Sequence, residues 1–168
     1  MSTRLLDLAD LEPLVLQLAA ALRARHWRVA TAESCTGGLV AAACTAVAGS
    51  SDWFERGFVT YSNEAKVQSL GVAATLIERH GAVSREVALA MAEGVLRQAP
   101  ADLALSVTGI AGPGGAVPGK PVGTVWLGLT VRGQAPRAEL LQLSGDRAGI
   151  RAQTVRRALQ RLLEAALP

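Results

Sequence analysis

An apolar run near the middle of the chain limits the possible folds more than any other feature. Leu103, Ala104 and Leu105 lie at the centre of the segment from Asp102 to Val107, which predicts a strand without the polar alternation of a half-exposed strand. A strand of this kind is typical of a sheet whose two faces are both covered by helices. The run therefore favours an α/β fold.

Alternating helical and extended patterns surround this run. Helices are predicted to begin at caps at Asp10, at Ser62 or Asn63 and at Ser84, and at the segment Ser144–Arg147. A further helix is predicted over about 36–47. The other strands are predicted at about 28–31, at the end of 53–61, at 122–131 and at 138–143, the last two forming a hairpin. The order α-β-α-β-α-α-β-β-β-α predicts a three-layer α/β/α sandwich with a mixed, mostly parallel five-stranded sheet, one strand of which is antiparallel.

Length and composition favour one domain in the cytoplasm. The chain has 168 residues, of which 50% are hydrophobic and 18% charged, so a single domain over residues 1–168 is expected. Met1 to Asp10 lacks the apolar stretch of a signal peptide, and no run reaches the ~18 apolar residues that a membrane span needs. Cys35 and Cys44 are expected to be buried or reduced thiols, without a metal-binding role.

The basic residues do not predict a nucleic-acid partner. The net charge is +3, but the positive residues are dispersed and aromatic residues form only 4% of the chain, which leaves little for base stacking. One dense group is interpreted as the solvated face of the last helix, and it comprises Arg147, Arg151, Arg156, Arg157 and Arg161. Lysine occurs only at positions 66 and 120, which makes both positions candidates for a special role.

The segment Thr31–Gly38 predicts the turn from a strand into a helix. Ser34 and Thr36 would place hydroxyls beside the positive end of that helix, and Gly37 and Gly38 would let a ligand approach closely. Such a turn suits an anion or a nucleophile; the alternative is that Ser34 or Thr36 only caps the helix. Loops at 61–66 and 108–115 also follow predicted strands, and the carboxyl ends of parallel strands form one edge, so the three loops are expected to converge.

Ser34 is the natural nucleophile of this turn, because the backbone N–H groups that follow it can hold a developing oxyanion. Lys66 is the candidate base, since the positive end of its helix disfavours the protonated form, and Tyr61 can relay or hold the proton. The alternative for Lys66 is an ordinary solvent-exposed lysine. His26 and His80 are expected to be surface or structural residues. These residue types allow acyl transfer at Ser34 without proving it.

A glycine-rich loop, Thr108–Gly112, follows the central strand. It is neither a P-loop nor a dinucleotide-binding fingerprint. Its backbone can still donate hydrogen bonds to a phosphate or a carboxylate. A plain glycine-rich turn is the alternative.

Six motifs in order along nearly the whole chain give it a resemblance to a known family. They are Thr31–Gly38, Gly49–Lys66, Gly81–Ser84, Thr108–Pro113, Lys120–Val125 and Gly145–Arg147. Together they resemble the CinA C-terminal domain family, and the chain is similar to the members of that family that lack a larger N-terminal domain. The resemblance implies a three-layer α/β/α sandwich and hydrolysis of the amide of nicotinamide mononucleotide to nicotinic acid mononucleotide and ammonia, in pyridine nucleotide recycling.

The same resemblance implies roles for individual residues. Serine-lysine chemistry falls on Ser34 and Lys66, with Tyr61 assisting. Substrate or phosphate contacts are expected from the remaining motif positions, which are Thr36, Gly37, Gly38, Ser51, Thr108, Gly109 and Arg147. No metal and no cofactor are expected, and homodimers are usual for the family.

Two other classes of function remain open at this level. One is a binding module in which the same loops hold a nucleotide without turnover. The other is a nucleic-acid or competence-related interaction protein, which the family name and the basic pI of about 9.4 suggest. Intact Ser34, Tyr61 and Lys66 argue against a domain that has lost its catalysis.

Overall fold

A computed structural model describes residues 6–168. It contains one sheet with the strand order β2-β1-β3-β4-β5. The strands are β1 (Val29–Glu33), β2 (Phe54–Val59), β3 (Leu103–Gly109), β4 (Thr124–Val131) and β5 (Arg137–Gln142). β1 pairs in parallel with β2 and β3, whereas β4 is antiparallel to both of its neighbours. Only β4 is reversed, which confirms the predicted mixed sheet with one antiparallel strand.

Helices cover both faces of the sheet, as predicted. They are α1 (Glu12–Ala24), α2 (Leu39–Thr45), α3 (Asn63–Leu70), α4 (Ala74–His80), α5 (Arg85–Gln98) and α6 (Arg147–Ala166). Short 3-10 turns lie at Leu8–Leu11 and Ser50–Asp52. Within residues 6–168, no helix has both the length and the apolar character that crossing a membrane requires.

The sequence prediction missed α4 and placed two helix starts wrongly. α4 has only seven residues and no side-chain cap at Ala73, so its local signals are weak. Asp10 does not cap α1; Asp7 caps the preceding 3-10 turn, and α1 begins at Glu12 with a proline in its first turn. α2 begins at Leu39 rather than near position 36.

Two predicted caps are confirmed, and the last helix begins in the predicted segment with a cap that the sequence analysis did not name. Ser62 accepts a hydrogen bond from the Ala65 amide at the start of α3, and Ser84 accepts one from Val87 at the start of α5. At the start of α6 the cap within the predicted Ser144–Arg147 segment is Asp146, whose carboxylate accepts from the Gly149 amide. Each cap satisfies a backbone donor that the first helical turn leaves without a partner.

The two faces of the sheet pack differently. On one face, large residues of the strands, such as Leu103 and Leu105, pack against α1, α2 and α6. On the other face the strands present small residues, including Ala30 and Ala104, to α5. α5 approaches so closely there that a Cβ atom on Gly128 of β4 would lie 2.2 Å from the Ala88 carbonyl oxygen. The central strand is buried on both sides, as its apolar run predicts.

The sheet directions place several loops at one edge. β1, β2 and β3 are parallel neighbours, so the residues that follow Glu33, Val59 and Gly109 emerge together. β5 runs in the same direction as β3, and therefore the start of α6 also lies at this edge. Crevices beyond the carboxyl ends of parallel strands are the usual ligand sites of open α/β sheets.

Candidate active site

Ser34 is the first residue after β1 and is half-buried at this edge. Its amide donates to the Val107 carbonyl oxygen over 2.9 Å, which continues the pairing of β1 with β3 by one residue. Its Oγ atom lies 3.4 Å from the carbonyl oxygen of Tyr61, to which it donates. The chain then turns through Gly37 and Gly38, which have positive φ angles of 57° and 99° that favour glycine.

Neither Ser34 nor Thr36 caps α2, so that alternative is wrong. The N-cap is Gly38, which has no side chain to accept a hydrogen bond. The buried carboxylate of Glu33 does this instead, accepting from the amides of Gly38, Val40 and Ala41 over 3.2, 3.0 and 2.9 Å. Because Glu33 occupies the positive end of α2, that end is closed to a ligand anion, contrary to the expectation from the sequence.

Lys66 lies in the first turns of α3 and is only 1% exposed, so its interpretation as a solvent-exposed lysine is wrong. Its Nζ atom donates to Ser34 Oγ over 3.2 Å. The same atom donates to the carbonyl oxygens of Thr60, Tyr61 and Ser62 over 2.8, 3.2 and 3.4 Å. Burial lowers the pKa of Lys66 below the usual lysine value, because a charged ammonium loses its hydration there.

Tyr61 takes part in this arrangement mainly through its backbone. Its carbonyl oxygen accepts from both Ser34 Oγ and Lys66 Nζ. Its side chain is 58% exposed, and its hydroxyl accepts from Arg147 Nη2 over 3.0 Å. Nη1 of Arg147 donates to the Gly112 carbonyl oxygen over 2.8 Å, so this arginine joins the loop after β2 to the loop after β3.

An open cavity of about 260 Å³ lies between these groups. Ser34 and Lys66 form one wall, and the glycine-rich loop from Thr108 to Gly115 forms another. The hydroxyl of Thr108 donates to the Ala82 carbonyl oxygen over 2.8 Å, which ties the loop to the segment before α5. Gly109 is required where it stands, since a Cβ atom there would lie 2.7 Å from the Val125 side chain.

The structure brings most, but not all, of the sequence-predicted site residues together. Ser34, Tyr61, Lys66, Thr108, Gly109 and Arg147 line the cavity. Thr36 is completely buried behind the turn, and Gly37 and Gly38 lie outside the cavity wall. Ser51 lies at the amino end of β1, near Arg28, and is therefore at the opposite edge of the sheet.

The arginines of α6 do not form one solvated face. Arg147 lines the cavity, and Arg151 donates to the Thr36 carbonyl oxygen behind the turn. Arg161 pairs with Glu139 and Glu164 on the surface. Arg156 and Arg157 are exposed as the sequence interpretation expected, and Arg147 is exposed as well, but at the rim of the cavity. An i, i+4 spacing puts positions 147 and 151 on the same side of the helix, and the tertiary fold turns that side to the site.

The cysteines are both free and buried, as predicted. Burial raises the pKa of Cys35 to about 11, while the nearby charges of Arg151 and Arg147 act to lower it. Burial also raises the pKa of Cys44, to about 12. Both thiols are therefore protonated near neutral pH, and Cys35 does not compete with Ser34 as a nucleophile.

Glu33 and Arg151 are the residues of the site that sequence reasoning missed. Arg151 was interpreted only as part of a basic cluster, although it lies four residues before Val155, in line with the buried stripe of α6. Glu33 directly precedes the candidate nucleophile, and an acid at the end of a strand before a helix could have been considered as a cap from the strand side.

Among residues 6–168, no group of three or more His, Cys, Asp or Glu side chains is placed to hold a metal ion.

Fold and site together define the class of this protein: a three-layer α/β/α protein with a serine and a buried lysine paired at the carboxyl edge of its parallel strands. The sequence model of the CinA C-terminal domain family matches residues 11–166, and the chain belongs to this family. The resemblance inferred from the six motifs is therefore confirmed.

Similar proteins support this assignment. The chain is 53% identical over 156 residues to the nicotinamide-nucleotide amidohydrolase PncC of Escherichia coli K12, covering 92% of this chain and 93% of that protein. It is 52% identical to the protein of the same name from Enterobacter agglomerans, covering 91% and 93%. The solved structure of the competence/damage inducible protein CihA of Agrobacterium tumefaciens is 45% identical, with a TM-score of 0.89 and coverage of 92% and 94%.

Proposed function

We propose that this chain is an amidohydrolase that converts nicotinamide mononucleotide into nicotinic acid mononucleotide and ammonia. The observation that carries the mechanism is the 3.2 Å contact between Ser34 Oγ and the buried Nζ of Lys66. The substrate is inferred from the nicotinamide-nucleotide amidohydrolases that are 52% and 53% identical over nearly the whole chain. We assign Ser34 as the nucleophile and Lys66 as its base.

The surroundings of Lys66 suit a neutral amine that accepts a proton. A neutral amine has two N–H donors and one lone pair. The two shortest carbonyl contacts, to Thr60 and Tyr61, can take the two donors. The lone pair then faces Ser34 Oγ, and the lowered pKa of Lys66 increases the neutral fraction at working pH.

In the first half-reaction Lys66 takes the hydroxyl proton while Ser34 Oγ bonds to the amide carbon of the substrate. The resulting tetrahedral intermediate collapses as the C–N bond breaks, and Lys66 passes its proton to the departing nitrogen, which leaves as ammonia. Water then attacks the nicotinoyl ester on Ser34 with Lys66 again as the base. The products are the free carboxylic acid and the regenerated serine.

The backbone amide of Cys35, which lines the cavity directly after Ser34, is suited to hold the oxyanion. The Ser34 amide is bonded to Val107, and the Gly37 amide is bonded to the Ser34 carbonyl oxygen. By contrast, the Cys35 amide has no backbone or side-chain oxygen partner within residues 6–168. Donors that are already oriented toward the developing negative charge supply a large share of the catalysis in acyl transfer.

The rest of the cavity is suited to the nucleotide phosphate. Arg147 reaches the cavity wall and has no carboxylate partner in the described part of the chain. A guanidinium is a strong partner for a phosphate, and the Tyr61 hydroxyl beside it adds a further polar contact. We assign Arg147 and the loop from Thr108 to Gly115 to substrate binding.

A homodimer, a cytoplasmic location and a place in pyridine nucleotide recycling are part of the same proposal.

The test is to incubate the purified chain with nicotinamide mononucleotide and to measure ammonia and nicotinic acid mononucleotide in parallel. We expect both products in equal amounts. Nicotinamide riboside, which lacks the phosphate, is the matched substrate, and its KM should be higher. Binding of the mononucleotide without release of ammonia would contradict the proposal and would support a binding module instead.

A further inference from the structure

Arg151 stands behind the Ser34 turn and outside the cavity. Its Nη2 atom donates to the Thr36 carbonyl oxygen over 3.3 Å, and a Cβ atom on Gly37 would lie 3.6 Å from the same nitrogen. Its Nε atom is buried and has no hydrogen-bond partner among residues 6–168. No carboxylate of that range forms an ion pair with the guanidinium.

This placement costs free energy and therefore calls for a compensating benefit. A buried donor without a partner and a half-buried charge without an opposite charge both lose hydration that nothing in their surroundings replaces. A methionine or leucine at position 151 would fill the same space without that penalty. The contact that the guanidinium does make is with the peptide that follows Thr36, within the turn that carries the nucleophile.

We propose that Arg151 is a positioning residue for amide hydrolysis, which holds the peptide between Thr36 and Gly37 so that the turn keeps Ser34 Oγ beside Lys66 and the Cys35 amide at the oxyanion forming there. This role rests on the proposed function. The turn is then fixed from two sides, with Glu33 binding the amides of α2 and Arg151 binding the carbonyl oxygen of Thr36. Ser34 and Cys35 are the residues of this turn that line the cavity.

The positive charge of Arg151 acts in the same direction as the hydrogen bond. Burial raises the pKa of the Cys35 thiol, and the charge of Arg151 acts in the opposite direction, so its field reaches the residue that carries the proposed oxyanion donor. An oxyanion held by that amide would experience the same stabilising field. Arg147, one helical turn earlier, lines the cavity and is assigned to the substrate, so the two arginines have separable roles.

The experiment compares three substitutions on α6 with the unmodified chain, with nicotinamide mononucleotide as the substrate. R151M removes the charge and the donors, R151K keeps the charge, and R156M changes an exposed arginine of the same helix. We expect R151M to lower kcat by about tenfold or more with little change in KM, since the residue does not line the cavity. R151K should recover part of the loss, and R156M should match the unmodified chain.

Several outcomes would overturn this role. They are a normal kcat in R151M, equal losses in R151M and R151K that follow their melting temperatures, and a raised KM with preserved kcat, which would make Arg151 a substrate ligand. Release of ammonia by the unmodified chain distinguishes a failure of the role of Arg151 from a failure of the proposed function. If the unmodified chain releases none, the proposed reaction fails together with the role of Arg151; if it does, only the variants decide.

Discussion

Two serines stand at the same edge of the sheet, each where a parallel strand passes into a helix, and their hydroxyls have different partners. Ser62 follows β2 and caps α3, because its Oγ accepts from the Ala65 amide over 3.0 Å. Ser34 follows β1, but Glu33 binds the first amides of α2 in its place. Ser34 Oγ is therefore left for Lys66, which lies 3.2 Å away.

The difference shows that a serine at a strand-to-helix junction caps the helix, or keeps its hydroxyl for another partner, according to what else binds the first amides of the helix. At Ser62 the hydroxyl accepts a backbone proton, so its oxygen is engaged in the fold. At Ser34 the neighbouring carboxylate performs that task, and the turn holds the hydroxyl next to a buried lysine. The two junctions also cooperate, since the helix that Ser62 caps carries Lys66.

The largest effect is expected at Ser34. Ser34→Ala removes the proposed nucleophile and should lower kcat by at least about 10³-fold, because the residual rate then comes only from binding and the oxyanion donors. Its melting temperature should stay close to that of the unmodified chain, since Ser34 is not a cap. Steady-state ammonia release and thermal unfolding check the two parts, and near-normal turnover would rule out an acyl-enzyme on Ser34.

The next effect concerns the proposed base at position 66. Lys66→Arg keeps the positive charge but cannot give up its proton at accessible pH, so kcat should fall on the order of 10²-fold. In the unmodified chain the rate should rise with pH along a limb set by the lowered pKa of Lys66, because the neutral amine is the active form. A kcat–pH profile of both proteins measures this. Preserved kcat with a raised KM in Lys66→Arg would instead make Lys66 a clamp for the substrate.

Glu33→Gln should have a smaller effect on turnover and a clear effect on stability. The amide puts an N–H2 group where a carboxylate oxygen now accepts from backbone amides, so we expect a loss of about 1–3 kcal/mol in the free energy of unfolding. The loosened turn should lower kcat by roughly tenfold. Glu64→Gln, an exposed acid in the first turn of α3, is the matched control. If both substitutions destabilise equally in urea, the buried cap has no special role.

Ser62→Ala should have the smallest effect on turnover. Loss of the cap should cost about 1 kcal/mol of the free energy of unfolding. Because the backbone carbonyl of position 62 that contacts Lys66 is kept, kcat should stay within about twofold of the unmodified chain. Chemical unfolding together with the ammonia assay would show a loss of stability without a loss of kcat, which is the opposite of the result expected for Ser34→Ala. A loss of kcat larger than the loss for Glu33→Gln would contradict the division between the two serines.

Much of the fold could be predicted because it depends on local patterns. The apolar run of β3, the caps at Ser62 and Ser84 and the hairpin between β4 and β5 all carry short-range signals, and the structure confirms them. α4 was missed since seven residues without a cap leave little local evidence, and its position depends on packing against α3 and α5. The start of α2 was misplaced because its cap comes from the strand before it.

The candidate site divides in the same way. Ser34, Lys66 and Thr108 could be named from the sequence, since each follows a predicted strand and parallel strands share an edge. Ser51 precedes the strand predicted at the end of 53–61, so the same rule places it at the opposite edge, and only the family resemblance had put it in the site. Helical spacing puts Arg147 and Arg151 in line with the buried Val155, but whether that end of α6 reaches the site depends on how the helix packs against the sheet.

The sequence by itself determined the α/β class, the mixed five-stranded sheet, the family and the candidate pair of Ser34 and Lys66. Its short-range patterns and motifs are sufficient for these, because helix period, strand period and capping are set within a few residues. Only the tertiary structure decided that Lys66 is buried, that it contacts Ser34 and that Glu33 caps α2. Those facts join residues brought together by the sheet and its crossovers, and the loss of hydration that lowers the pKa of Lys66 exists only once that packing is complete.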